Sequence, residues 1–290
     1  MSEFPVLNTT LSRANPIVQA EFNHQRFVIK RGRVGYLWIF LAALLVVPAL
    51  LISLVTSASA FLGAFEPSLG SLTLPVTWEA GTWQAFIGNL GWVLILVMSP
   101  AQYLVVTLVT MGLSANSIRR EKSGLTWDSL RLTGIGTRRI VWGKWWASMR
   151  ALAGDHVMVT ILRMGLVTLI MTTFAASIDM LNQLEPVSHL GKMPVLLLLT
   201  ILFGVFDAAL TAAFGVLAAI PNEAAGTVVG STVIGLRMLV MIGAFMLLIA
   251  SLHLAVNVSM AAVLALSVGG FLVYVALIVA ALLIAEKLIY

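Results

Sequence analysis

SANSIRREKSGLTWDSLRLTGIGTRRIVWGKWWASMR, residues 114–150, is a basic insert in an otherwise apolar chain. It carries Arg119, Arg120, Lys122, Arg131, Arg138, Arg139, Lys144 and Arg150, eight of the seventeen Lys and Arg residues. Long apolar runs flank it on both sides. Two apolar runs joined by a basic connection form a hairpin of membrane spans whose link lies in water. The side on which that link emerges fixes the side of every other loop.

The composition demands such a solvent. Of 290 residues, 60% are hydrophobic and 10% charged, and mean hydropathy is +1.02. A water-soluble domain of this length cannot hide so much apolar side chain, so the surroundings are largely lipid. The net charge of +5 does not point to nucleic acid. The positive charge clusters beside apolar runs, as cytoplasmic flanks require, and neither a stacking-aromatic motif nor a zinc pattern accompanies it. Cysteine is absent, which excludes disulfide and thiol chemistry. The first 33 residues are polar and lack the apolar core of a cleavable signal peptide.

Outward from the insert, the chain reads as an all-α integral membrane protein with six transmembrane helices. Spans are expected at about 36–57, 85–113, 155–177, 193–220, 227–252 and 260–284. A hydrocarbon core of about 30 Å needs about 20 helical residues to cross. Residues 1–33 form a tail and an N-terminal amphipathic interfacial helix, capped by Asn15 with Pro16 at its first position. Residues 34–290 form the six-span membrane domain. The N-terminal segment holds five Lys or Arg and the insert eight, whereas the loops after spans one and three share one, Lys192. The positive-inside rule then places both termini and the insert in the cytoplasm of an inner, plasma membrane.

The insert itself divides into parts. Span two continues as helix past Ile118 until Ser123-Gly124 breaks it. Residues 126–132 are long enough for two helical turns, with Thr126 as cap and Asp128 favourably placed for the helix dipole. Thr137 is expected to cap the next helix, whose Val141, Trp145, Met149 and Leu152 fall on one stripe and suit a helix lying along the membrane surface. An isolated seven-residue helix is marginal in water. Docking the apolar Trp127, Leu130 and Leu132 into a groove on a partner would order it.

At these residues the chain resembles the ABC-2-type transporter permeases. The family's loop between spans two and three has the form REK-x-G-x-(hydroxyl)-(aromatic or acid)-x-L-x-x-(hydroxyl), a Gly- or Pro-containing turn, then Ile-(Val/Leu)-x-Gly-Lys. The pieces here are Arg120-Glu121-Lys122, Gly124, Thr126, Leu130, Thr133, Gly134, Ile140-Val141 and Gly143-Lys144, with one residue more than that form between Trp127 and Leu130. The N-terminal NPIVQAEFNHQRFVIKRGR is also similar to the basic amphipathic start of these permeases. The resemblance implies a cytoplasmic coupling helix near Leu125–Thr133, seated on a separate soluble ABC ATPase subunit. It further implies two permease subunits, as a homodimer or related heterodimer, and two ATPases carrying ATP and Mg. The residues assigned to ATPase contact are Arg120, Glu121, Lys122, Leu125, Trp127, Asp128, Leu130, Arg131, Leu132 and Thr133. Export is the family's usual direction. The chain has no G-x-x-x-x-G-K-[ST] stretch of its own: Gly143-Lys144 is followed by Trp145 and lacks the glycine-rich lead. It is therefore expected to be no enzyme and to hold no cofactor or metal.

Arg163, Asp207 and Arg237 fall inside the expected spans. An ionised side chain at a span centre costs about 2.5–3.5 kcal/mol even on the lenient insertion scale, so Asp207 is expected to pair with one or both arginines. A helix–helix clasp, or arginines reaching to the inner interface, is favoured over a polar patch on a substrate path or a gate between bundles. His24, His156, His189 and His253 are scattered without metal-ligand spacing. Gly204, Gly215 and Gly230 are expected to let helices approach closely. Besides a transporter subunit, two other classes fit less well: a non-transporting structural membrane subunit that keeps the fold, and an intramembrane enzyme, for which no span carries a paired nucleophile and base.

Overall fold

The computed structural model describes residues 16–32, 36–65, 83–132, 134–182, 193–220, 228–239 and 260–288, all helix or short turn. In lipid every backbone N–H and C=O must be satisfied within its own segment, which helices do. The helices are α1 (Pro16–Gly32), α2 (Tyr36–Phe65), α3 (Trp83–Ser123), α4 (Thr126–Leu132), α5 (Thr137–Ala151), α6 (Ala153–Asn182), α7 (Met193–Ala218), α8 (Val228–Leu239) and α9 (Met260–Leu288). Among the described residues four helical segments are long and apolar enough to cross a membrane: Val93–Ser123, Ala153–Met171, Met193–Ala218 and Val263–Leu288. Leu44–Ala58 and Val228–Leu239 are shorter apolar helices. The chain is thus an all-helical membrane protein over the described residues. Residues 58–65, expected from the sequence to begin the loop after the first span, instead continue α2 as helix; the rest of that loop before Trp83 and the second half of the fifth span lie outside the described residues.

Helix α7 is the hub. It packs against α2, α3, α5, α6 and α9. Its buried face is built from small residues, Gly204, Ala208, Ala209, Thr211, Ala212, Ala213 and Gly215, which bring neighbouring backbones close where lipid offers no hydrophobic drive. A Cβ at Gly215 would stand 2.8 Å from the Met111 carbonyl oxygen on α3, and one at Gly204 would strike the Thr160 hydroxyl on α6. Gly230 is different: its Cβ would meet only Met111 Cε, at an ordinary 3.6 Å, so that glycine does not mark a tight crossing. The closest approach is one that periodicity does not flag. At Gly165 a Cβ would come within 2.6 Å of Ser53 Cα, where α2 crosses α6.

Helix α3 has 41 residues and at 1.5 Å per residue runs about 60 Å, twice the hydrocarbon thickness. Its last turns therefore project beyond the bilayer. The insert folds back onto this projection. Ile118, Trp127, Ile140, Val141, Trp142 and Trp145 form one buried cluster with Ile17 of α1, Ala209 to Ile220 around the end of α7, and Ile278 to Ala285 of α9. Val141 and Trp145 of the apolar α5 stripe belong to that core, Met149 packs against it, and Leu152, just past the helix end, is buried too. The expectation that α5 rests its stripe on the membrane surface is corrected: protein, not lipid, covers it. Thr137 is not its cap either, because Gly136 occupies that position and makes no side-chain cap bond.

Candidate functional site

The projecting end of α3 turns sharply into α4. The Gly124 N–H donates to the Arg120 carbonyl at 2.9 Å and the Leu125 N–H to that of Lys122 at 3.3 Å. Leu125 takes a left-handed backbone, φ 56°. The Thr126 hydroxyl reaches backward to Glu121 Oε2 at 2.5 Å, so it ties α4 to α3 rather than capping α4 forward. Trp127 is buried at 8% exposure, and Leu130 packs partly buried on the same core. The expected exposure of Trp127 is thus overturned. The large apolar side chains that α4 and its turn do present to solvent are Leu125, 83% exposed, and Leu132, 87% exposed. The side chains of Asp128 and Arg131, and all of Thr133, lie outside the described residues.

Arg120, Glu121 and Lys122 turn toward the protein. Lys122 Nζ donates to the Ile220 carbonyl at 2.8 Å, satisfying an acceptor just past the end of α7. Lys144 of α5 is 1% exposed. Its ammonium contacts Glu21 Oε2 of α1 at 3.0 Å, the Ser117 carbonyl at 2.8 Å and Glu121 Oε1 at 3.3 Å. Arg120 Nη2 also meets Glu21 Oε2, at 2.9 Å. Gln25 Nε2 donates to Glu21 Oε1 at 3.1 Å and to the Ser148 hydroxyl at 2.9 Å. Two cations therefore meet two carboxylates, and all three donors of the buried ammonium have acceptors. Burial pushes the Glu121 carboxyl up, but the Thr126 hydroxyl and the Lys144 and Arg120 cations outweigh it and hold the group below its ordinary range. Glu21, Gln25 and Ser148 escape a motif reading. The one available signal is that Glu21 is the lone acid on a basic helix.

Farther along α5, Trp145 Nε1 donates to the Ala209 carbonyl of α7 at 2.9 Å. Two residues before Ala209, the three charges predicted for the spans come together. Arg163 Nη2 of α6 pairs with Asp207 Oδ2 at 3.0 Å. Arg237 of α8 pairs with Asp207 Oδ1 and with the Thr211 hydroxyl, and reaches the Asp207 carbonyl at 3.2 Å. The Arg163 guanidinium stacks over the Tyr103 ring of α3 at 4.3 Å. His156 bonds the Thr110 hydroxyl at 3.0 Å. Among the described residues no group of three or more His, Asp or Glu side chains is placed to hold a metal ion.

Compared with family models, curated proteins and solved structures, the chain matches none of them.

Proposed function

We propose that the chain is the membrane-spanning permease subunit of an ABC-2-type exporter. In this assignment six spans cross an inner, plasma membrane and both termini are cytoplasmic. Hydrolysis of ATP occurs on a separate soluble ATPase docked at the 114–150 insert. A second permease subunit completes the path, and the chain itself holds no nucleotide. Closure of the ATPase pair would push α4 and rock the spans between inward and outward states.

One observation carries the docking assignment. Leu125 holds a left-handed backbone while 83% exposed. That conformation costs an L-residue about 1–2 kcal/mol, and solvent returns nothing for it. A partner groove that covered Leu125 and the neighbouring Leu132 would recover about 1.5–3 kcal/mol for each. The balanced ion network behind them supplies the stiff backing that a coupling element needs.

A second assignment, a non-transporting structural membrane subunit, draws on the tight clasp of Asp207 by two helices. Purification decides between them. The wild-type chain is expected to bring down a stoichiometric soluble ATPase, and Leu125→Asp with Leu132→Asp to lose it while remaining in the membrane. If the double variant keeps the ATPase, the docking assignment is wrong. If the wild type brings down only other membrane subunits, the structural role replaces transport.

A further inference from the structure

We propose that Arg163, with Arg237 and Tyr103 beside it, forms a subsite for the anionic head of a translocated amphiphile, a phosphate or carboxylate carried on an apolar chain. The proposal rests on the transport assignment above and names its substrate class.

Charge count is the first observation. The network outside the bilayer sets Lys144 and Arg120 against Glu21 and Glu121, two against two. Among the described residues the intramembrane cluster sets two guanidinia against one carboxylate, Asp207. Asp207 lies near the middle of Met193–Ala218, and both guanidinia are drawn to it there. The second observation is geometric. Arg237 is bonded to Thr211 and to Asp207 through both side chain and backbone. Arg163 has one charged acceptor, Asp207 Oδ2, with Tyr103 as a neutral partner, and its side chain is 22% exposed. Guanidinium donors cannot face hydrocarbon bare. They need an acceptor on that open side.

A second copy of the chain does not offer one. Apart from Asp155 at the start of the third, the expected spans contain no acid but Asp207, and symmetric contact would set two net-positive clusters against each other. A small anion supplies both the charge and the paired acceptor oxygens that a guanidinium fork takes. The wall next to the fork suits a chain: Tyr103, Val106 and Val159 form an apolar cluster joined by Met238.

The test is equilibrium binding of radiolabelled dodecyl phosphate, with dodecanol as control, to the full-length protein in dodecyl maltoside. No ATPase is present, so the outcome is independent of the docking assignment. Wild-type protein is expected to bind the phosphate saturably and the alcohol not. Arg163→Gln is expected to weaken phosphate binding about tenfold. Its thermal stability is expected to stay near wild type, because Arg237 still balances Asp207. Arg163→Lys keeps the charge without the fork and is expected to bind about threefold more weakly. Equal phosphate binding by wild type and both variants, or equal binding of alcohol and phosphate, overturns the proposal. So does a loss of stability in Arg163→Gln as large as that in Asp207→Asn, which would make Arg163 part of a clasp and nothing more.

Discussion

Leu125 shows what a single residue discloses only through its backbone. As a letter beside Gly124 it is an apolar residue after a helix break, and nothing in a one-residue context distinguishes φ 56° from an ordinary turn. Once that angle is known, stability and function separate. Leu125→Gly places in the left-handed region the residue that occupies it freely. It is expected to raise unfolding stability by about 1 kcal/mol, read as a shift in thermal unfolding in detergent. The same variant should capture less ATPase, since the exposed side chain has gone. A rise in stability with undiminished capture would mean that Leu125 is strained without being a contact. Asp207 is the opposite case. A carboxylate expected in a span has few ways to exist, so its pairing with Arg163 and Arg237 was legible from cost alone.

Between elements, the buried Lys144 decides how α1, α3 and α5 are held. Its motif position, after Gly143 and before Trp145, marks it as special but does not name its partner. Glu21 lies 123 residues away, and no local period connects two charges at that separation. For the same reason the seven residues of α4 could not declare which face is covered. A two-turn helix offers too few positions for a stripe, and Trp127 proves to belong to the core. The Gly165–Ser53 crossing was equally hidden, because a glycine in a span looks the same whether or not a backbone approaches it. Lys144→Met should leave Glu21 buried with only the half-exposed Arg120 for charge. A loss of about 3 kcal/mol is expected, toward the low end for a broken buried pair. Adding Glu21→Gln removes the stranded carboxylate and is expected to return part of that loss. Thermal unfolding of the two single variants and the double measures the coupling. Strict additivity would show that the two side chains do not act together.

At the scale of the molecule, the insert is welded to the hub rather than hung from a flexible link. Lys122 holds the Ile220 carbonyl, Trp145 holds that of Ala209, and Asp207 sits two residues farther up α7 with α6 and α8 fastened to it. A push on α4 meets α3, against which it packs, and reaches α7 through α3 and α5; α7 touches most of the bundle. This has use only if α4 faces the compartment where ATP is. The case for that placement is charge asymmetry, thirteen Lys or Arg on the N-terminal segment and insert against one, Lys192, on the loops expected after spans one and three. Because the chain has no cysteine, single cysteines report topology without background. Leu132→Cys, at an exposed position of the insert, is expected to react with a membrane-impermeant maleimide only after cells are permeabilised. Ser71→Cys, in the loop expected from the sequence after the first span, is expected to react in intact cells. Labelling of Leu132→Cys in intact cells would put α4 outside, where no ATPase could reach it, and the assignment as an ATP-driven permease would fall with that result.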